Sequence, residues 1–407
     1  MTSDLNHVLI ITPSTGLDFD RIFDNDLTPK ISLILPEHGL SDLTENSKRR
    51  IDNIIPIHDY FSQDVENTAR ILFKKTPFQR IILTSEDDVI RAASLRKELS
   101  LPGQNYDSAL IFRNKMMMKD FVSQAGFKVP GYSSIEHLSD LHDFVEKKGF
   151  PIVIKPHSGS GCQNTFILAN ENELEDFIEK KFPLIFQPLK IEEYMSGDMY
   201  HIDGLLSNKG IIVAWPSKFM LTPLDLINGK NFGSYILDDN HPLFHRLINY
   251  TQKLLSVLPS SEISGFHLEL FHQPDQDDFF LCEIAARIGG MCINTMWKYS
   301  FGLELETEFL KLQAGMTTSA ASLKKNVICA RLICPSREGY LNSLPALSSF
   351  PWVEEYIYNA NQGEKLPKVN ELSDFLLSVV FVADSEGRII ERFSILDEWI
   401  KNNVVIH

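Results

Sequence analysis

The first third of the chain alternates short apolar runs with longer polar stretches. One polar stretch, residues 63–75, has the periodicity of an amphipathic helix. The apolar runs are residues 8–12, 31–35, 54–57 and 81–84. This βαβ alternation favours a parallel sheet with helices on its faces. The first turn reads TPSTG rather than GxGxxG, so the sequence does not fit a dinucleotide-binding dehydrogenase.

A break at residues 101–103 (LPG) separates this part of the chain from a second series of elements. Helices are predicted at residues 114–125, 171–180, 243–258 and, in the tail, 396–402. Strands are predicted at residues 150–155, 166–169, 186–194, 201–206 and 210–214. Two further strands, 265–271 and 279–284, flank the loop QPDQDD, and this pattern predicts a β-hairpin.

Composition narrows the class of protein. The 407 residues include 54 acidic and 39 basic side chains, and a surface with a net charge of −15 repels nucleic acid. The five cysteines form no CxxC pair, so we expect reduced thiols and a cytoplasmic location. No segment approaches the ~18 apolar residues of a membrane-spanning helix, so we expect no membrane partner.

Glu269 and Glu283 lie in the two strands of the predicted hairpin. Such a hairpin sets the two carboxylates side by side, where each raises the pKa of the other. Mg²⁺ relieves this repulsion, because it takes oxygen ligands from a few protein groups and from phosphates. The pattern therefore predicts a metal site, and an exposed pair of strand glutamates is the alternative.

Arg287 follows the second of these glutamates and leads into Gly289 and Gly290. Its planar guanidinium suits a substrate carboxylate or an acyl phosphate. The glycines allow backbone amides to approach an anion. A surface ion pair is the alternative interpretation of Arg287.

Lys155 ends an apolar strand and enters a short glycine-rich loop. This loop consists of Ser158, Gly159, Ser160 and Gly161. A lysine in this position can neutralise phosphate while loop amides cradle it, although the spacing is not that of a Walker P-loop. Lys115 begins a helix, where the helix dipole disfavours a cation, as is typical of a residue that serves a ligand. A simple turn and a solvated lysine are the alternatives.

Residues 191–198 (IEEYMSGD) couple a strand to a turn. Glu192 or Glu193 offers an acceptor for an adenine amino group, and the strand backbone can read the edge of the ring. Tyr194 and Met195 can cover the apolar faces of the base. By itself this pattern is weak.

The order of these motifs resembles the ATP-grasp superfamily, and within it the L-amino acid ligases and related carboxylate–amine ligases. The resemblance runs from about residue 85 to residue 290 and is most specific in GFHLELF, LCEIAARIGG and EEYMSGDMYHIDG. It implies an α/β ATP-grasp fold with three parts. These are a parallel-sheet domain at 1–110, an ATP-grasp domain at 111–315 with a small lobe at about 148–205, and a C-terminal mixed lobe at 316–407. A homodimer is a further family-level expectation.

The resemblance also implies roles for the nucleotide-binding residues. ATP would lie between two lobes, with Lys115 and Lys155 on its phosphates and the loop 158–161 closing over them. Glu192 would accept from the adenine amino group, beside the backbone of Tyr194 and Met195.

The same resemblance assigns the metal and the reacting groups. Glu269 and Glu283 would bind two Mg²⁺ ions, with Mn²⁺ as an alternative. Arg287 would stabilise the acyl phosphate and the tetrahedral state. Two departures stand out: Ala285 replaces an asparagine that many relatives use for the second metal, and Met199 replaces a glutamate that binds ribose. Asp198 or Asp203 is the expected substitute for that glutamate.

The implied reaction is phosphoryl transfer from ATP to a small carboxylate, followed by attack of an amine, as in dipeptide synthesis or natural-product assembly. His267 and His201 are candidates for removing the proton of the amine, with a structural role as the alternative for each. Met291 is expected to line the side-chain pocket of the carboxylate substrate, and Ser85 and Glu86 are expected to help select a substrate.

Two other functions stay open from the sequence. The amine could belong to a purine precursor, a carrier-bound amino acid or a non-proteinogenic amino acid. The chain could also be a nucleotide sensor that retains the fold without catalysis.

Overall fold

The structure is a computed structural model that describes residues 5–13, 17, 19–23, 29–260, 262–318, 325, 327–344 and 350–407. Most of the TPSTG turn lies outside these residues. No helix in the described ranges is long and apolar enough to cross a membrane. The five cysteines are free thiols, as predicted.

The N-terminal sheet is parallel, which confirms the prediction from the βαβ alternation. Its strands are β1 (His7–Ile11), β2 (Lys30–Pro36), β3 (Asn53–Ile57) and β4 (Arg80–Leu83), in the spatial order β3–β2–β1–β4. Its helices are α1 (Phe19–Ile22), α2 (Glu45–Arg50), α3 (Asp64–Lys75), α4 (Val89–Leu99) and α5 (Tyr106–Arg113). Every residue of β1 is buried, as expected for the interior strand of a parallel sheet that is covered on both faces.

A second, antiparallel sheet follows. Its strands are β5 (Tyr132–Ile135), β6 (Ile152–Pro156), β7 (Phe166–Leu168) and β8 (Leu189–Glu193), in the order β5–β8–β6–β7. The helices of this part are α6 (Lys115–Gln124), α7 (Leu138–Lys148) and α8 (Glu171–Lys180). Ile152 and Ile154 pack into its hydrophobic core, whereas Val153 and Lys155 face a cavity. This alternation along one strand brings Lys155 to the site.

The third sheet has eight antiparallel strands. They are β9 (Asp198–Ser207), β10 (Gly210–Leu221), β11 (Phe232–Ile236), β12 (Gly265–Gln273), β13 (Asp278–Ala285), β14 (Ile328–Pro335), β16 (Val353–Tyr358) and β18 (Phe375–Ala383). Their spatial order is β13–β12–β9–β10–β11–β14–β18–β16. The tail therefore adds three strands, β14, β16 and β18, to this sheet. Strands β12 and β13 pair with each other in antiparallel register, which confirms the predicted hairpin.

The remaining elements pack around this sheet. The helices are α9 (Pro223–Ile227), α10 (Phe244–Val257), α11 (Ile293–Phe301), α12 (Leu305–Gln313) and α13 (Glu386–Asn403). A small sheet contains β15 (Gly339–Ser343), β17 (Lys365–Leu366) and β19 (Val405–Ile406). Short 3₁₀ helices span Glu37–Asp42, Glu86–Asp88 and Phe182–Leu184.

The boundaries of three elements were predicted wrongly. Strands β9 and β10 extend well beyond residues 201–206 and 210–214. Helix α13 begins at Glu386 instead of residue 396. Its early turns bury only Ile389 and Phe393, so the apolar signal at the start of this helix is sparse.

Candidate active site

The hairpin β12–β13 sets Glu269 directly opposite Glu283 in the strand register, as predicted. The register shifts just beyond this pair, because Leu270 pairs with Leu281 and leaves Cys282 as an extra residue. Such a bulge re-aims neighbouring side chains. Both Cys282 and Glu283 consequently face the same cavity, although they are adjacent in the chain.

Two cavities meet at this carboxylate pair. The first, here called the lysine cavity, has a volume of about 200 Å³ and lies between the second sheet and the hairpin. The predicted residues that line it are Lys115, Lys155, Gly159, Ser160, Gly161, Glu192, Glu193, Tyr194, Met195, Glu269 and Glu283. The second, the arginine cavity, has a volume of about 580 Å³. The predicted residues that line it are Ser85, Glu86, Ser160, Gly161, His267, Glu269, Glu283, Arg287, Gly289, Gly290 and Met291.

Lys115 is held at the first turn of α6. The side chain of Asn114 caps this helix by accepting from the amides of Met116 and Met117. The Lys115 ammonium lies 2.7 Å from a Glu283 oxygen and donates to the Gly159 carbonyl at 3.0 Å. Burial opposes the charge of Lys115, but Glu283 raises its pKa above the ordinary value. Lys115 therefore links the carboxylate pair to the glycine-rich loop.

Three lysines surround Glu192. Its carboxylate lies 3.2 Å from the ammonium of Lys155 and 2.9 Å from that of Lys119, and Lys190 contacts it as well. Burial lowers the pKa of Lys119, and lowers that of Lys190 further. Of the three lysines, Lys155 lines the lysine cavity, and its charge favours an anion there. The contact of Glu192 with an adenine amino group stays a prediction.

Arg287 is oriented by Glu86. Its Nε and Nη2 donate to one Glu86 oxygen at 3.0 and 2.7 Å, and Nη1 donates to the Ile288 carbonyl at 2.8 Å. The other Glu86 oxygen accepts from Arg113 at 2.6 Å. A guanidinium has five N–H donors, so two remain for a substrate oxyanion. The contribution of Glu86 is to hold this arginine in place.

Asp203 organises the floor of the arginine cavity. It is fully buried and accepts from His201 Nδ1 at 2.7 Å, from His267 Nδ1 at 2.8 Å and from the Gly289 amide at 3.1 Å. Burial would raise its pKa, but the two histidines hold it well below the usual range. His201, Asp203 and His267 lie close enough to hold a metal ion, but in this structure they form a hydrogen-bonded relay.

The contacts of both histidines disfavour their predicted role as a base. Burial would lower the pKa of His267, but Asp203 and Glu269 raise it to about 9, so the ring is protonated at neutral pH and donates at both nitrogens. His201 is fully buried and is not part of either cavity wall. Their geometry fits a structural role: they hold Asp203 and Glu269.

Some predicted ligands lie outside the lysine cavity. Ser158 is not part of its wall. Asp198 also lies outside and pairs with Lys218 at 2.7 Å, because it is on the opposite face of β9 from Met199. Asp203 is already satisfied by its three donors. Neither aspartate is therefore placed to bind ribose.

Arg331 is a cavity residue that the sequence reasoning missed. It lies on β14, is 2% exposed, and donates to Ser234 Oγ at 2.9 Å. It also donates to the carbonyls of Gly290, at 2.8 Å, and Met291. It thereby holds a turn in which Met291 and Cys292 both have positive φ. The signal was a single arginine in an otherwise apolar strand, since charged residues are seldom fully buried without a partner.

Residues 112–223 match the sequence profile of the ATP-grasp domain. Over this segment the chain is similar to ATP-grasp domains. The carboxylate pair at Glu269 and Glu283, and Arg287, lie downstream of the matched segment.

Sequence relatives of this chain include ligases. It is 28% identical to an L-arginine-specific L-amino acid ligase of Bacillus subtilis over 263 residues, which are 61% of this chain and 62% of the relative. The chain thus spans less than two thirds of that relative.

Solved structures support the ATP-grasp fold over the full chain. An L-amino acid ligase of Bacillus licheniformis superposes with a TM-score of 0.78 at 18% identity, covering 100% of both chains. A carboxyaminoimidazole ribonucleotide synthase of Aspergillus clavatus, solved with ATP, gives a TM-score of 0.71 at 14% identity, covering 98% of this chain and 99% of that one. At these identities the likeness establishes the fold alone, which confirms the predicted fold class.

Proposed function

We propose that this chain is an ATP-dependent carboxylate–amine ligase that joins two amino acids, or an amino-acid-like acid and an amino acid, through an acyl phosphate. One observation carries the proposal: Glu269 and Glu283 belong to the walls of both cavities. A γ-phosphate that enters from the lysine cavity and a carboxylate held in the arginine cavity would meet at this pair. The names of the relatives support the same class of reaction.

The carboxylate pair fits Mg²⁺. Glu269 and Glu283 offer only oxygen donors, and the positive groups that now contact them, His267 and Lys115, stand in for cationic charge. A bound Mg²⁺ would neutralise negative charge on the transferred phosphoryl group. Lys115 and Lys155 would hold the phosphates of ATP, and the loop at Gly159–Gly161 would cover them.

Phosphoryl transfer would form a bond between a substrate carboxylate oxygen and the γ-phosphorus, with ADP as the leaving group. Attack of the amine on the carbonyl carbon would then form the amide and expel phosphate. Arg287, with two donors unused, would stabilise the oxyanion of this step, an interaction that is worth about 3–4 kcal/mol for a good donor. Met291, in the wall of the same cavity, would contact the side chain of the acid.

Glu306 is a better candidate than His267 to receive the proton of the amine. It lies in the wall of the arginine cavity, and its carboxylate has no hydrogen bond or ion pair in the described part of the chain. Burial raises its pKa above the ordinary value for a glutamate. We expect Glu306→Gln to remove the acidic limb of the pH profile of kcat/KM for the amine. An unchanged limb would rule out this role.

The activity test measures ADP and phosphate release with ATP and Mg²⁺ across a matrix of amino-acid pairs, with L-arginine among them, and the product masses. We expect release that depends on two amino acids and a product equal to their sum less one water. Glu283→Gln should abolish turnover, while Glu146→Gln, a matched change at an exposed position on α7, should not.

The other outcomes of this matrix also decide between functions. ATP binding without turnover by any pair would contradict amino-acid ligation and favour a purine precursor, a carrier-bound acceptor or a sensor. Turnover of equal rate in Glu283→Gln would contradict the assignment of the carboxylate pair.

A further inference from the structure

A third cavity, of about 370 Å³, lies away from the active site. It is enclosed by the start of β4, by α4 and the turn that follows it, by α12 and by the tip of the β9–β10 hairpin. It shares no wall residue with the lysine cavity or the arginine cavity. Its volume falls in the usual range of small-molecule sites.

Two arginines face this cavity, and neither forms an ion pair with a described residue. Arg96 is 5% exposed, and although its Nη2 donates to the Ile81 carbonyl at 2.7 Å, its buried Nε has no partner. Arg80 has no hydrogen bond or ion pair in the described part of the chain. A buried donor that is left unpaired destabilises the folded protein, so a ligand that supplies the acceptor would stabilise it.

The wall offers little else to neutralise these charges. Glu262 is the acidic residue of the wall, and it forms no ion pair with either arginine. The wall amides of Gln313 and Gln104 are already occupied, by the backbone of Leu83 and by the Ser108 hydroxyl respectively. Burial lowers the pKa of Arg96 to about 10; the nearby Glu262 carboxylate opposes this shift, and the neighbouring Arg80 adds to it. A local excess of positive charge therefore persists in a chain whose net charge is −15.

Close packing fixes both guanidinium groups. A Cβ on Gly103 would lie 2.7 Å from Arg96 Nε, and a Cβ on Gly315 would lie 2.8 Å from Arg80 Nη2. The two side chains thus lie close to glycine backbone, where a larger residue would displace them. Preorganised planar guanidinium groups recognise oxyanions through paired N–H donors.

We propose that this third cavity is a second ligand site, which binds the oxyanion group of a small metabolite, a carboxylate or a phosphate, between Arg80 and Arg96. The apolar part of the wall, which includes Leu206 and Phe309, accommodates the remainder of such a molecule. This site is independent of the proposed ligase reaction, because it uses none of the residues of that reaction.

Isothermal titration of the full chain with inorganic phosphate, and separately with succinate, tests the proposal. Arg80→Gln removes one cation that has no partner to lose, and Arg49→Gln is the matched change at an exposed position on α2. We expect wild type and Arg49→Gln to bind at least one of the two anions, and Arg80→Gln to bind that anion at least tenfold more weakly. The anion that binds identifies the chemical class.

Two results would overturn the proposal. One is equal affinity of wild type and Arg80→Gln for both anions, since any binding would then occur elsewhere, for example in the lysine cavity. The other is the absence of binding of either anion to wild type. Thermal melting of Arg80→Gln without ligand checks that the variant is folded, so a loss of binding can be assigned to the missing cation.

Discussion

The two glycines after Arg287 have different surroundings. A Cβ on Gly289 would lie 2.7 Å from Asp203 Oδ1 and 2.7 Å from His267 Nδ1, and it would also clash with Ile293. A Cβ on Gly290 would meet no atom within 4 Å. The Gly289 amide is already bound by Asp203. Gly289 is therefore required by packing, and only Gly290 has room beside it for a substrate.

We predict that Gly289→Ala lowers kcat/KM by ~100-fold, because an added methyl group displaces the Asp203 relay and small misplacements have effects of this size. Gly290→Ala should lose clearly less. Steady-state kinetics of both variants, with thermal melts to check folding, provides the measurement. An equal loss in the two variants would show that the packing around Gly289 does not control the site.

Glu86 links the N-terminal part of the chain to Arg287, and this contact predicts a pH dependence of stability. Burial would raise the pKa of Glu86, but Arg287 and Arg113 bring it below the ordinary value. A carboxyl group with a lowered folded-state pKa contributes stability above its unfolded pKa of about 4.3. That contribution is lost as the pH falls through the folded pKa.

We expect Glu86→Gln to reduce the free energy of unfolding at pH 7 by roughly 3 kcal/mol, because the half-buried Arg287 and Arg113 lose the buried Glu86 carboxylate. In the same variant, the free energy of unfolding should fall less steeply than in wild type as the pH drops below about 5. Urea unfolding from pH 3 to 7 measures both effects, with Glu98→Gln, from an exposed pair with Arg70, as the control. Parallel pH profiles in wild type and Glu86→Gln would contradict this linkage.

At the scale of elements, the start of α6 determines where Lys115 lies. Asn114 accepts from two amides, so the first turn begins at Lys115 and its ammonium reaches both Glu283 and Gly159. We predict that Asn114→Ala lowers stability by about 1 kcal/mol and raises the KM for ATP, whereas Asn114→Asp keeps the cap. Urea melts and ATP titrations test this. A normal KM in Asn114→Ala would mean that the cap does not position Lys115.

The elements that could be predicted from sequence carry local signals. Helix α8 matches the prediction residue for residue, since Asn170 caps it and its apolar positions are periodic. The hairpin was signalled by its Pro- and Asp-rich loop. The ends of β9 carry no such local signal, because eight consecutive residues of that strand are buried and no alternation of buried and exposed residues marks its limits.

The parts of the site that escaped prediction depend on long-range register. Asp203 meets His267 because β9 pairs with β12, and nothing in the local sequence specifies that pairing. The bulge that turns Cys282 toward the lysine cavity is likewise a property of two paired strands. Arg331 lies on β14, which is separated from β12 and β13 by other strands of the eight-stranded sheet, yet it donates to the carbonyl of Gly290.

At the scale of the whole molecule, the tail completes the site. Strand β14 supplies Arg331, and the Leu372 amide donates to the Gly161 carbonyl at 3.0 Å, so the tail also contacts the glycine-rich loop. The boundary predicted at residue 315 therefore crosses a continuous sheet. Both cavities depend on residues from distant parts of the chain, and the carboxylate pair lies at their junction.

The proposed acyl phosphate is tested most directly by following the carboxylate oxygen of the substrate into the released phosphate. The full chain is incubated with ATP, Mg²⁺ and a mixture of amino acids labelled with ¹⁸O in their carboxylates, and the released phosphate is analysed by mass spectrometry. An acyl phosphate predicts one ¹⁸O in each phosphate released with ADP. Unlabelled phosphate, ¹⁸O in AMP, or no turnover would contradict the proposed reaction.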